Sequence, residues 1–127
     1  MANPGLALQK ALLAKLDTLV DCEVYDGVPQ NADYPYVLID TDQVINEDFT
    51  NQRMDRRFIY LSIWSRAYGS AEVKTIIGQI DTINETPLTL DTGECISVRV
   101  ERTHTNREPD ALTFMGHITL RVLTLHS

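Results

Sequence analysis

Residues 55–84 decide the fold, and they read DRRFIYLSIWSRAYGSAEVKTIIGQIDTIN. Polar and apolar side chains alternate over the first part of this stretch, which predicts a strand that ends near residue 65. One side of the strand carries Arg57, Ile59, Leu61 and Ile63, and the other carries Phe58, Tyr60, Ser62 and Trp64. A helix is predicted after Ser70, its N-cap, with apolar residues at three- and four-residue steps: Val73, Ile76, Ile77, Ile80 and Ile83. Both apolar surfaces leave water if they pack together.

The flanking sequence adds a second helix and further strands. Asn3 followed by Pro4 predicts a helix start, and a leucine stripe (Leu8, Leu12, Leu16, Leu19) continues to about residue 20. Strand patterns occupy residues 24–25, 36–45, 88–90, 95–104 and 112–125, with Gly116 as a candidate bulge. The expected core side comprises Val37, Ile39 and Ile45, then Ile96, Val98 and Val100, and finally Leu112, Phe114, Ile118, Leu120 and Val122.

This order predicts an α+β fold in which residues 1–127 form a single domain. We expect a two-layer sandwich, with two helices packed on one face of a mostly antiparallel sheet of four or five strands.

Composition limits the class of protein. The 127 residues are 43% hydrophobic and 23% charged, with a net charge of -7, which is typical of a globular domain and unfavourable for a general nucleic-acid-binding surface. Cys22 and Cys95 lie far apart in no metal-ligand spacing, so we expect a reducing compartment, although a disulfide between them stays open. From residues 1–5 we expect no signal peptide, and from the lack of a long apolar run we expect no membrane-spanning helix.

Few residues suggest chemistry. His104 and His117 lie on adjacent predicted strands, near Glu101 and Asp110, so that a metal site or acid–base pair is one hypothesis. His126, next to the C-terminus, is expected to be mobile. Gly69 and Ser70 could accept an anion at the helix start, although a simple turn and cap is the preferred interpretation. We expect no catalytic residue, cofactor or metal; the alternatives are a His104/His117-based enzyme of unknown substrate and a small ligand-binding adaptor.

Charge is segregated around residues 40–57. Asp40, Asp42, Glu47 and Asp48 form an acidic cluster, and Arg53, Arg56 and Arg57 form a basic patch. Such patches suit self-association, in which the positive surface of one copy meets the negative surface of the next. Two solvated strand ends are the alternative. Between them, residues 46–54 form either a long hairpin connection or a mobile loop, and we expect the loop.

The side of the central strand with Phe58, Tyr60 and Trp64 has two interpretations. If both helices cover the opposite side, these aromatic residues lie on an open sheet face, where they would favour a protein partner. If the sheet bends enough, they are buried within the subunit.

Five segments together carry a resemblance to a known family. In chain order they are Val24–Gln30 (VYDGVPQ), Tyr34–Ile39 (YPYVLI), Ile63–Arg66 (IWSR), Pro87–Leu90 (PLTL) and Arg107–Thr113 (REPDALT). With the two helices, their order and spacing resemble the phage tail completion or tail terminator family, also called head–tail joining proteins, over nearly the whole chain. The long acidic segment 40–54 is the one departure.

The resemblance implies a structural virion protein and not an enzyme. It implies a ring, expected to be a hexamer, which caps the head-proximal end of a long tail, ends tube polymerisation and forms the joint to the head. The implied partners are further copies of the chain, the tail tube protein, the head–tail connector proteins and DNA that passes through without specific binding. The purified protein can then be monomeric, and it is assembled in the host cytoplasm without a membrane. Candidate interface residues are Asp40, Asp42, Glu47, Asp48, Arg53, Arg56, Arg57 and Trp64.

Overall fold

A computed structural model of the chain describes residues 3–27, 31–48, 51–67, 69–85, 88–109 and 112–126. Two helices and five strands occur in these ranges, in the order α1 (Gly5–Leu19), β1 (Glu23–Tyr25), β2 (Tyr36–Asn46), β3 (Met54–Ser65), α2 (Ala71–Asp81), β4 (Glu94–Arg107) and β5 (Phe114–Leu125). A short 3₁₀ helix, Thr82–Glu85, follows α2 directly.

The five strands form one sheet in the spatial order β1-β2-β3-β5-β4. Strand β1 pairs with β2 in parallel, and every other neighbouring pair is antiparallel. Both helices pack against the same face of this sheet, which we call the helix face; the other is the open face. The α+β, two-layer prediction is therefore confirmed, with five strands in a mixed sheet.

The core lies between the helices and the helix face. Its fully buried side chains come from the predicted stripes of both helices and from one side of the long strands. They include Leu8, Leu12 and Leu16 of α1, Val73 and Ile80 of α2, Leu61 and Ile63 of β3, and Ile118, Leu120 and Val122 of β5.

The predicted helix starts are correct for α2 and one residue early for α1. Helix α1 begins at Gly5 with Pro4 as its N-cap, one residue later than expected, and the Gly5 N–H donates to the Asn3 side-chain oxygen at 2.9 Å. Ser70 is the N-cap of α2 as predicted, but its side chain makes no capping hydrogen bond.

Three β-bulges, one in β2 and two in β4 (the later one between Val100 and Arg102), correct the predicted faces of these strands. Strand register shifts between Ile39 and Thr41, so that Ile45 pairs with Arg56 on the open face instead of pointing to the core. A second shift, between Cys95 and Ser97, leaves Ile96 48% exposed while Cys95 and Val98 are buried. An extra residue reverses the alternation beyond it, because side chains alternate with period two.

Three other predictions at strand ends were wrong. Leu112 is 70% exposed, because it precedes β5 instead of opening it. Residues 88–90 form no strand, although Leu88 is buried in the core. Strand β4 continues to Arg107, three residues beyond its predicted end.

Gly116 marks a close approach between layers and not a bulge. The pairing of β5 with β3 runs without a register shift past it. A Cβ atom at this position would lie only 2.7 Å from Val73 Cγ1 of α2. The absent side chain therefore lets α2 sit close to the middle of the sheet.

Candidate assembly surfaces

The connection between β2 and β3 forms one charged surface, which we call the hairpin end: Glu47, Asp48, Arg53 and Arg56. Glu47 N–H donates to the Met54 carbonyl oxygen at 2.7 Å, which favours the hairpin interpretation of residues 46–54; Phe49 and Thr50 lie outside the described residues. Arg56 Nη2 lies 2.6 Å from Glu47 Oε1, and Arg53 Nε lies 3.7 Å from Asp48 Oδ1. Glu47 and Asp48 of the predicted acidic cluster therefore meet Arg56 and Arg53 of the predicted basic patch within the same subunit, instead of lying on a separate side.

Asp40 and Asp42 lie in the middle of β2, at and next to its bulge, and both are exposed. Asp42 pairs in register with Ile59, on the helix face. These carboxylates therefore stay at the surface near the helix layer, apart from the ion pairs of the hairpin end.

Arg57 does not belong to the basic patch, because its side chain is only 4% exposed. It lies on the helix face of β3, where its Nε donates to Thr124 Oγ1 at 3.1 Å and its Nη2 donates to Asn3 Oδ1 at 2.9 Å. The same nitrogen lies 3.2 Å from Asp55 Oδ2. Arg57 is buried because strand alternation places it on the core side of β3, and the buried Asp55 carboxylate offsets the cost of burying its charge.

His126 completes this buried polar cluster, so the prediction of a mobile residue was wrong. Its Nε2 lies 2.6 Å from Asp55 Oδ2, and its backbone N–H donates to the Arg53 carbonyl oxygen at 3.0 Å. Asp55 Oδ1 and His126 Nδ1 have no hydrogen-bond partner among the described residues. The cluster joins both ends of the described chain to the start of β3 through Asn3 and His126.

The open face carries the aromatic residues of β3. No helix within the described ranges covers Phe58, Tyr60 or Trp64, and all three are half-buried by their neighbours in the sheet. The open-face interpretation is therefore the one that the structure supports.

Trp64 belongs to an aromatic group at one end of this face. Its ring stacks on Tyr36 with centroids 6.4 Å apart, and its Nε1–H donates to Ser62 Oγ at 3.1 Å. The ring centroids of Tyr34 and Tyr36 are 5.3 Å apart, and the guanidinium carbon of Arg66 lies 4.4 Å from the centroid of the Tyr34 ring. Because the indole N–H is already bonded, Trp64 offers a partner mainly apolar ring surface.

His104 and His117 face one another on β4 and β5, as predicted. Their rings stack with centroids 6.1 Å apart. The Glu101 carboxylate, however, lies 4.0 Å from Arg121 Nη1, and Asp110 lies outside the described residues. Among the residues that the structure describes, no group of three His, Cys, Asp or Glu side chains could hold a metal.

The start of α2 is a poor anion site. Glu72 lies in its first turn, where its carboxylate accepts a hydrogen bond from Ser65 Oγ at 2.6 Å. Beside it, a cleft of about 520 Å³ is lined by Asp21, Cys22, Glu23, Asp33 and Glu72, among others. Negative charge already at the helix N-terminus disfavours a bound phosphate.

Cys22 in this cleft is a weakly reactive thiol. Burial raises its pKa above the usual value for a thiol, and the carboxylates of Glu72, Asp21 and Glu23 raise it further. Burial also raises the pKa of Cys95. Both cysteines are free, so the disulfide that the sequence left open does not form.

The sheet has two edges that the sequence analysis did not identify as surfaces. Strand β1 covers only Tyr36–Leu38 of β2, so that residues 39–46 of β2 have no neighbouring strand on that side within the described chain. At the other end of the sheet, β4 pairs with β5 alone. A polar β2 sequence with two carboxylates is the signal that could have indicated an edge strand.

Comparison with known proteins identifies the family. The sequence model of the family "Tail completion protein gp17" matches residues 7–125. One similar solved chain belongs to the "Virion of native gene transfer agent (GTA) particle"; it has a TM-score of 0.86 and 20% identity, over 98% of this chain and 99% of that one. At this identity the likeness shows the fold. No curated protein matches.

Neither helix within the described ranges is long and apolar enough to cross a bilayer. The family match covers both helices, apart from the first two residues of α1, and all five strands. The chain therefore belongs to the tail completion protein family and is a structural protein of the phage virion, located in the tail.

Proposed function

We propose that the protein forms a ring, six copies in the complete structure, at the head-proximal end of a long tail. The ring ends polymerisation of the tail tube and provides the surface to which the filled head attaches. The observation that carries this proposal is the family match over residues 7–125, in a chain whose fold also occurs in a virion. Its partners are further copies of itself, the tube protein and the head–tail connector proteins.

Surface features are compatible with a role in assembly. Charged side chains lie at the hairpin end, Asp40 and Asp42 are exposed near the helix layer, and Trp64 presents an aromatic surface on the open face. We propose Asp40, Asp42, Glu47, Asp48, Arg53, Arg56 and Trp64 as contact residues of the ring or the tube. Arg57 is left out because its guanidinium is buried.

A ring also requires that each copy present two different surfaces that fit one another. A heterologous contact of this kind closes into a ring when its rotation is correct. A net charge of -7 suits the lumen of such a ring, since negative charge disfavours the binding of passing DNA. We propose further that the protein catalyses no reaction, so that His117→Asn, which removes one half of the histidine pair, leaves virion assembly unchanged.

Deletion of the gene from its parent phage or prophage tests this function. After induction, electron microscopy of the lysate should show filled heads without tails, together with free tails of abnormal and variable length. A plasmid copy of the gene should restore normal particles. Normal infectious particles in the deletion strain would contradict the proposal. Tails of normal length that lack heads would show that the protein does not end tube polymerisation.

A further inference from the structure

We propose that neighbouring copies join by β-strand addition, with the free edge of β2 in one copy pairing antiparallel with the free edge of β4 in the next. This inference rests on the proposed ring and names the contact that closes it. Both edges present backbone N–H and C=O groups that no described strand pairs, and such edges readily accept another strand.

Strand direction is the first support. Strand β2 is antiparallel to β3, β3 to β5 and β5 to β4, so that β2 runs opposite to β4 within one sheet. A second copy that continues the sheet in the same orientation therefore places its β2 antiparallel to β4 of the first copy. Repetition of one such step joins two different edges at every contact, as a closed ring requires.

Charge is the second support. Residues 39–46 of β2 carry two carboxylates, Asp40 and Asp42, and no basic residue, whereas residues 97–107 carry three arginines and one glutamate. Glu47 and Asp48 are not counted, because they already pair with Arg56 and Arg53 of the same subunit. Pairing β2 with a second β2 would set carboxylates beside carboxylates, and pairing β4 with a second β4 would set arginines beside arginines. Only the mixed pairing brings opposite charges together, so the charges select a heterologous contact.

Length and exposure are the third support. Beyond the shift between Ile39 and Thr41 on β2, and beyond the shift between Val100 and Arg102 on β4, each edge has an uninterrupted run of six paired residues: Thr41–Asn46 and Arg102–Arg107. Val44 and Ile45 in the first run are 43% and 40% exposed, which is unusual for such side chains on a protected edge. A neighbouring strand would cover them.

Sheet faces then restrict the register. Cross-strand partners share a face, so Asp42, which pairs with Ile59 on the helix face, must oppose a β4 residue of the helix face. Arg107 pairs with Phe114, whose side chain packs against the core, and so it qualifies. Setting Asp42 opposite Arg107 makes an opposite-charge pair. It also places Val44 opposite Thr105, and Ile45 opposite His104.

Cysteine cross-linking in purified virions tests this register. Variants of the parent phage would carry Ile45→Cys with His104→Cys, two exposed positions on the open face, and each single substitution as a control. After mild oxidation and denaturing electrophoresis, we expect a ladder of covalently joined copies up to the full ring for the double variant. The single variants should give no ladder. The pair Val44→Cys with Thr105→Cys, on the helix face in the same register, should give the same ladder and replaces the first pair if that variant fails to assemble.

The outcomes separate this contact from the function on which it rests. If the double variants are present in virions but remain uncross-linked, the strand pairing is wrong, while the location in the tail stands. A ladder for Ile45→Cys with Ser97→Cys instead would overturn the register, because Ser97 lies near the opposite end of β4. Absence of the unsubstituted protein from the tail would overturn both proposals.

Discussion

Among individual residues, Arg57 and His126 connect the two ends of the described chain to the start of β3. Arg57 contacts Asp55, Thr124 and Asn3, and His126 contacts Asp55. A buried ionic cluster adds little net stability compared with an apolar core, but the loss of Arg57 takes from the buried Asp55 carboxylate one of the two described side chains that contact it. The cluster thereby makes the positions of both chain ends depend on β3.

We predict that Arg57→Leu destabilises the fold by about 3–5 kcal/mol, because Asp55 loses a buried counter-charge. Urea unfolding measures the change. Arg53→Leu is the matched control, since the Arg53 side chain is 50% exposed, and its effect should stay within about 0.5 kcal/mol. Equal effects of the two substitutions would contradict the role given to the buried cluster.

The thiol of Cys22 should react slowly in the folded protein. Because burial raises its pKa, a smaller fraction is thiolate at neutral pH than in the unfolded chain, and the thiolate is the nucleophile. Alkylation by iodoacetamide, followed by mass spectrometry of the Cys22 peptide, should be slower in buffer than in urea. Its rate in buffer should rise as the pH increases towards the raised pKa. A folded rate equal to the urea rate would show that the thiol is not shielded.

At the level of secondary structure, periodicity predicted most of the architecture but missed the irregularities. The stripes of Leu8, Leu12 and Leu16 and of Val73, Ile76 and Ile80 are buried as the 3.6-residue period indicates. The bulges beside Asp40 and Ile96 could not be predicted, because a single extra residue leaves no signature in hydropathy and yet reverses the faces of Ile45 and Ile96.

The contact between α2 and β5 depends on Gly116. We predict that Gly116→Ala destabilises the protein by about 1–3 kcal/mol, since the new methyl group meets the stiff side chain of Val73. Gly78→Ala is the control: this α2 position has no atom within 4 Å of an added Cβ, so helix propensity should stabilise the protein by up to about 1 kcal/mol. Thermal unfolding distinguishes the two. An unchanged midpoint for Gly116→Ala would mean that the layers can separate freely.

Over the whole molecule, the sheet is covered on one face and open on the other, with an unpaired edge at each end within the described chain. Alternation predicted the two layers and a sheet of four or five strands, but it left open whether the aromatic residues of β3 lie on an open face or are buried. It could not predict which charges meet across strands, because this depends on strand order: Glu47 with Arg56, and Asp55 with His126, are neighbours only after the sheet forms. The sequence therefore identified the charged residues of the candidate interface, but the sheet topology shows that Arg57 is buried and that Glu47 and Asp48 pair with Arg56 and Arg53.

The measurement that tests the central claim most directly is a cryo-electron microscopy reconstruction of the joint between head and tail in the parent virion. The account predicts one closed ring of six copies of this chain at the head-proximal end of the tube, with a passage along the axis. Density for this chain elsewhere in the particle, or no density at the joint, would contradict the account.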